Sequence, residues 1–265
     1  MGTPGRPRQL RYNLRKYFIN FMNFTNFTNL SLYLFYNLWR IQIMCGRYSF
    51  ILEDEMIKER FGVTVRSAIY KARYNCAPTQ NLAVISNENP GELSLYRWGL
   101  IPSWAKDPAI GNRMINAKSE TILEKPSFKT PFKSRRCLVL ADGFYEWKKE
   151  PVKTPYRITR KDGSAFAMAG IWDKWTSPDG EIIHSFSILT TGPNSLMEKI
   201  HDRMPVILDP ENEKKWISET GQEELIGLLK PCDPGMLIAF PVSSAVNSPR
   251  NDIPEILVPA GDPLV

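Results

Sequence analysis

The run Pro155-Tyr-Arg-Ile-Thr-Arg-Lys-Asp-Gly-Ser-Ala-Phe-Ala-Met-Ala-Gly-Ile-Trp172, followed beyond Asp179-Gly180 by Ile182-Ile-His-Ser-Phe-Ser-Ile-Leu-Thr190, decides the fold. Pro155–Thr159, Ala165–Trp172 and Ile182–Thr190 are β-rich, and Asp162-Gly163 and Asp179-Gly180 separate them. Asp-Gly between apolar runs signals a hairpin, because Gly adopts the positive φ that tight hairpin turns need. Working outward, Leu82–Ser86, Leu93–Trp98, Cys137–Leu140, Tyr48–Ile51 and Met236–Pro241 also read as strands. Asp142-Gly143 reads as another turn. Helices are expected at Glu53–Phe61 with a Gly62 stop, at Asn116–Leu123, at Ser195–Ile200, and once or twice within Glu211–Leu229. Strands outnumber helices and rarely alternate with them. The expected class is therefore α+β, a single domain over residues 44–265 built on mainly antiparallel β-sheet with flanking helices.

The 265 residues carry 34 Lys+Arg and 28 Asp+Glu, a net charge of +6. Arg6, Arg8, Arg11, Arg15, Lys16 and Arg40 lie in residues 1–43, which contain no acidic residue. Setting those six aside leaves 28 basic against 28 acidic residues from Met44 onward. Any nucleic-acid site in the body must therefore be a local patch rather than a general basic field. The four cysteines form no C-x-x-C pair and there are two histidines, so no metal site and no disulfide framework is expected. The thiols read as reduced and the compartment as intracellular.

Residues 1–43 differ from the rest. They begin rich in Pro and Arg and become aromatic and Asn-rich around Asn23-Phe-Thr-Asn-Phe-Thr-Asn29. Leu30–Ile43 is interrupted by Asn37 and Arg40, short of a membrane span of roughly 20 apolar residues. The segment reads as a leader outside the domain, disordered or contributed by a start placed too far upstream.

Cys45 follows Met44 directly. If the chain starts at Met44 and that residue is trimmed, Cys45 presents an α-amine beside its thiol. Such an aminothiol condenses with an aldehyde to a Schiff base, which the thiol closes to a thiazolidine. Alternatively it serves as an amidohydrolase nucleophile, or Cys45 is simply a buried cysteine. Glu146, between Tyr145 and Trp147, reads either as a desolvated acid–base group or as an exposed strand-edge carboxylate. His201, in Ile200-His-Asp-Arg-Met-Pro205, reads as a proton shuttle in a site loop, whereas His184 reads as a strand residue without a catalytic part. Asn116, Lys118 and Glu120 alternate, and the amide and cation could hold a carbonyl or phosphate; Asn116 could equally cap a helix. Trp104 is a candidate stacking platform in its loop, or a side chain packed beneath it.

Taken in order, Met44-Cys-Gly-Arg-Tyr48, Arg73-Tyr-Asn-Cys-Ala-Pro78, Trp98-Gly-Leu-Ile-Pro-Ser-Trp104, Ile115-Asn-Ala-Lys-Ser-Glu120, Ala141-Asp-Gly-Phe-Tyr-Glu-Trp147 and Ile200-His-Asp-Arg-Met-Pro205 resemble the SOS-response-associated peptidase (SRAP) family of abasic-site-processing proteins. The resemblance spans essentially residues 44–265. It implies a monomer that binds single-stranded DNA at abasic sites and links Cys45 to the opened sugar, without a cofactor, in the cytoplasm and on the nucleoid when bound. It also implies removal of whatever precedes Cys45, and β-elimination of the strand as a side activity. By the resemblance Asn116 positions the reacting sugar or amine, Glu146 transfers protons, and His201 assists the acid–base steps. Arg47, Asn75, Lys118, Thr190 and Arg203 then bind phosphates or nucleotides, and Trp104 stacks near the lesion. Two competing readings are a cysteine peptidase acting on other proteins and a non-catalytic single-strand-binding module. Thiazolidine formation needs the Cys45 amine, so the intact mass of natively expressed protein is expected to match a chain beginning at Cys45; a mass retaining residues 1–43 removes that chemistry.

Overall fold

The computed structural model describes residues 45–66, 70–148 and 153–264. The leader, and with it the reading of residues 1–43, lies outside the described residues. The body contains two β-sheets that share one apolar core.

The first sheet is antiparallel throughout. It runs β13 (Leu237–Pro241), β8 (Thr154–Arg160), β7 (Gly143–Lys148), β1 (Tyr48–Phe50), β2 (Arg73–Cys76). The second closes on itself. β4 (Ser94–Trp98), β3 (Asn81–Ser86), β6 (Arg136–Ala141), β9 (Phe166–Thr176) and β10 (Ile182–Thr191) pair antiparallel in that order, and β10 returns to β4 in parallel. Closure removes the exposed edges that an open sheet would present. Three short strands extend this barrel: β5 (Asn116–Lys118) parallel to β10, β11 (Met204–Pro205) against the end of β10, and β12 (Ile207–Leu208) against β9. The α+β class with mainly antiparallel sheet is thus as the sequence indicates. Tyr48 of the first sheet packs on Trp98 of the barrel at 5.2 Å between ring centroids, and Trp98 stacks on Phe186 at 6.2 Å.

The Asp-Gly pairs behave differently from one another. Gly180 (φ 87°) turns β9 directly into β10, the expected hairpin. Gly163 (φ 73°) also turns the chain, but β8 and β9 belong to different sheets, so this turn carries the chain from one sheet to the other. Asp142-Gly143 makes the other crossing, from β6 to β7. A Cβ on Gly143 would lie 3.0 Å from the Arg157 guanidinium, so glycine allows that arginine to reach Asp142.

Helix α1 (Asp54–Phe61) ends at Gly62 as expected, with φ 69° and its N–H bonded to the Lys58 carbonyl. The helix expected at Asn116–Leu123 is instead β5 followed by a 3₁₀ turn at Ser119–Thr121, because β10 offers these residues a ladder. Ser195–Ile200 shrinks to a 3₁₀ turn at Met197–Lys199. Helix α2 (Pro126–Ser134) contains Pro131, a residue that reads as a helix breaker. The Glu211–Leu229 region forms two helices, α3 (Pro210–Ile217) and α4 (Gln222–Gly227).

Buried Arg136 at the start of β6 caps two helices. Its Nε donates to the Trp216 carbonyl at 2.7 Å and Nη2 to Ser218 at 2.8 Å, while Nη1 donates to Lys133 at 2.7 Å and Phe132 at 3.2 Å. These are C-terminal carbonyls that α2 and α3 leave unpaired, and their partial negative charge suits a cation. Lysine keeps the charge but cannot span both helix ends. Arg136→Lys is expected to cost about 2–4 kcal/mol in urea unfolding; a loss below about 0.5 kcal/mol would mean that the caps contribute little.

Candidate functional site

β1 lies antiparallel to β7, with Tyr48 opposite Phe144 and Ser49 opposite Gly143. Stepping back along β1 therefore steps forward along β7, and the Tyr145 N–H meets the Arg47 carbonyl at 2.9 Å. The same register brings Cys45 to Glu146, whose Oε1 accepts from the Cys45 nitrogen at 2.6 Å. Both residues are buried, Cys45 at 4% exposure and Glu146 at 2%. Cys45 has φ 41°, in the left-handed region that costs a non-glycine residue roughly 1–2 kcal/mol.

His201 and Arg203 arrive from the barrel. His201 N–H bonds to Met197 O at 2.7 Å, closing the 3₁₀ turn, and β11 then pairs with the end of β10. His201 is buried, and its Nδ1 faces the Arg203 N–H at 3.1 Å and Asp202 Oδ1 at 3.0 Å. The ring can accept from the first when neutral or donate to the second when protonated, so both protonation states have a partner. Arg203 donates through Nη2 to the Thr190 carbonyl at 2.7 Å and forks onto the Glu120 carboxylate.

Burial pushes the Glu146 carboxyl above its ordinary range; the His201 charge and the bonds from Cys45 act against that shift without cancelling it. Burial and then the Glu146 charge push the Cys45 thiol well up, with Arg203 acting in the opposite sense. The site thus combines a thiol and a carboxyl that burial both biases toward their protonated forms.

The remaining candidates fall into separate places. Asn116 and Lys118 point to one face of β5, opposite Ile188 and Thr190 of β10. Lys118 is exposed, Asn116 half-buried and Thr190 fully buried. Asn75 is also fully buried, and its Nδ2 donates to Asn251 O at 2.8 Å and Ser248 O at 3.0 Å. Its Oδ1 accepts from Arg47 Nη1 at 2.7 Å, and that nitrogen also donates to Val246 O at 2.7 Å. Arg47 and Asn75 therefore hold the C-terminal segment against the strands that carry Cys45. Burial holds the Arg47 guanidinium below its usual pKa.

Trp104 is 60% exposed, and its loop is pinned where Ser103 N–H bonds to Asp173 Oδ2 at 2.9 Å. Asp173 pairs with Ser185, five residues before Thr190 on β10, which separates the Trp104 loop from the Arg203 end of the strand by about 17 Å along the strand. Sequence reading gave no part to Asp202 or to the Val246–Asp252 strap. The strap's only signal was the Asn and Asp content of a Pro-rich tail. Among the described residues no helix is long and apolar enough to cross a membrane, and no group of three or more His, Cys, Asp or Glu could hold a metal ion.

Comparison with known proteins places the chain among relatives over most of its length. The model of the SOS response associated peptidase family matches residues 44–249. The abasic site processing protein YoqW of Bacillus subtilis is 48% identical over 221 residues, covering 81% of this chain and 99% of that protein. The mouse abasic site processing protein HMCES is 41% identical over 198 residues, covering 62% of this chain and 56% of the mouse protein. A crystal structure of a Bacteroides thetaiotaomicron protein superposes with a TM-score of 0.76 at 32% identity, covering 82% of this chain and 100% of that one.

Because the folded Glu146 holds its proton above the ordinary value of 4.5, the folded state binds more protons than the unfolded one from that pH upward. The stability that Glu146 contributes is complete below pH 4.5 and is lost as pH rises through the raised value. Glu146→Gln does not titrate, so its melting temperature is expected to gain on the wild type between pH 4.5 and 8. A constant difference across that range would contradict a raised pKa.

Proposed function

Since the chain belongs to the SOS response associated peptidase family, we propose that it captures abasic sites in single-stranded DNA through Cys45. The observation that carries this reading is the 2.6 Å contact between the Cys45 nitrogen and buried Glu146. The relatives' names, abasic site processing protein, support it.

The chemistry follows from the groups present. With Cys45 first in the chain, its nitrogen is an amine, and Glu146 Oε1 is placed to take the ammonium proton and free the lone pair. The amine adds to the opened sugar's aldehyde carbon. An N–H proton of the adduct passes to the new alkoxide, Glu146, now protonated, supplies the second proton so that the oxygen leaves as water, and the imine nitrogen gives its last proton back to Glu146. The Cys45 sulfur then adds to the imine carbon, the C=N electron pair moves to nitrogen, and the thiol proton passes from sulfur to nitrogen. Aldehyde and aminothiol thus become thiazolidine and water. A high thiol pKa does not hinder the first step, because the amine attacks first. His201 relays protons between Glu146 and solvent. β-Elimination from the imine before ring closure is a minor strand-cleaving branch. Lys118 and Arg203 meet backbone phosphates, and Trp104 stacks on a base farther along the strand.

This reading requires the bond between Met44 and Cys45 to be broken. The left-handed φ of Cys45 exists only while that bond does, so cleavage releases its strain. Such removal would be the family's peptidase label acting on the chain itself.

The test is a denaturing gel of protein beginning at Cys45 with single-stranded DNA bearing one abasic site. A covalent band is expected from the wild type and none from Cys45→Ala. Glu146→Gln is expected to form the band about 10²–10⁴-fold more slowly, and protein retaining residues 1–43 is expected to form no stable adduct. Peptide cleavage without a DNA band would favour a general peptidase. Reversible binding indifferent to Cys45→Ala would favour a simple binding module.

A further inference from the structure

Arg203 cannot meet a phosphate in the arrangement observed, because a carboxylate already fills its fork. Nη1 and Nη2 both engage Glu120, with Nη2 at 2.8 Å from Oε2. The inner side is taken by Thr190, whose carbonyl accepts from Nη2 at 2.7 Å and whose hydroxyl lies 3.3 Å away. Arg203 is largely buried at 12% side-chain exposure, whereas Glu120 is 53% exposed. One partner is therefore fixed and the other can swing into solvent. A carboxylate and a phosphodiester present the same pair of acceptor oxygens to a guanidinium.

We propose that Glu120 is a phosphate surrogate: it closes the Arg203 fork in the free protein and is displaced by a backbone phosphate of single-stranded DNA. The inference rests on the DNA-binding reading above and adds to it the residue that competes with DNA. The position suits that role. Glu120 follows β5 within the 3₁₀ turn Ser119–Thr121, two residues beyond exposed Lys118, so rotating its side chain disturbs no core packing. Its carboxyl is held below the usual range chiefly by its bonds to Arg203, so it remains an anion at neutral pH. Exchange of one bidentate acceptor for another leaves Arg203 with the same number of hydrogen bonds, so only the exposed Glu120 side chain has to move. Glu120 thus raises the threshold for binding, and weak undamaged contacts are disfavoured relative to a strand held at several phosphates.

The experiment is fluorescence anisotropy of the full chain with a labelled, undamaged single-stranded oligonucleotide across a salt series. Glu120→Gln is expected to bind roughly three- to tenfold more tightly at low salt, and its log–log salt slope is expected to steepen by about 0.7, the increment for one additional free cation on single strands. The gain is expected to fall below twofold on an Arg203→Gln background. Equal or weaker binding by Glu120→Gln would overturn the proposal, making Glu120 only a support for Arg203. A gain that persists without Arg203 would also overturn it, reducing Glu120 to general repulsion. Thermal melts of each variant establish that it is folded. Absence of binding by the wild type as well would instead count against the DNA-binding reading itself.

Discussion

A buried carboxylate at the crossing between the sheets fixes the geometry of the site. Asp142 Oδ1 accepts from the Ser49 hydroxyl at 2.5 Å and from Arg157 Nη2 at 2.7 Å, and Oδ2 accepts from the Ile51 N–H at 2.6 Å. β1 has three residues, too few for its own ladder to define a register strongly. Asp142 supplies the missing constraint by tying that strand to the point where β6 becomes β7. A slip by one residue, about 3.3 Å along the strand, would carry the Cys45 nitrogen out of hydrogen-bond reach of Glu146. The contact on which the proposed chemistry depends is therefore set by a residue with no part in that chemistry.

The site is built from groups that burial makes costly. Burial raises the pKa of both Cys45 and Glu146, and the charges of His201 and Arg203 only partly oppose it. Burying a carboxyl costs stability but, by raising its proton affinity, suits it to taking up a proton and passing it on. The protein surrounds this site with rigid supports. Arg47 and Asn75 clamp the C-terminal strap, and Asp252 Oδ1 accepts the N–H groups of Tyr74 at 2.7 Å and Asn75 at 3.0 Å. The strap ties the C-terminal segment onto β2, the strand beside β1.

Local pattern was enough for the elements that local chemistry decides. Helix α1 with its Gly62 stop and the Asp179-Gly180 hairpin depend on nearby residues, and both could be read from the chain. Asp162-Gly163 and Asp179-Gly180 have the same sequence and similar backbone, yet the second joins paired strands and the first joins different sheets. Turn chemistry determines that the chain reverses, not which neighbour it then pairs with. Asn116–Lys118 likewise became strand rather than helix because β10 lay alongside.

By itself the sequence determined the class of fold, the neutrality of the body, and the reactive types at Cys45, Glu146 and His201, since composition and short motifs are properties of the chain alone. Tertiary structure decided what those residues meet. It brought Cys45 and Glu146, 101 residues apart, to 2.6 Å, placed Trp104 at a distance along the barrel, turned Asn75 inward, and closed Glu120 on Arg203. The physical reason is that register and sheet closure are fixed by burial and hydrogen bonds summed over distant strands. A single stretch of sequence contains only one partner of each such pair.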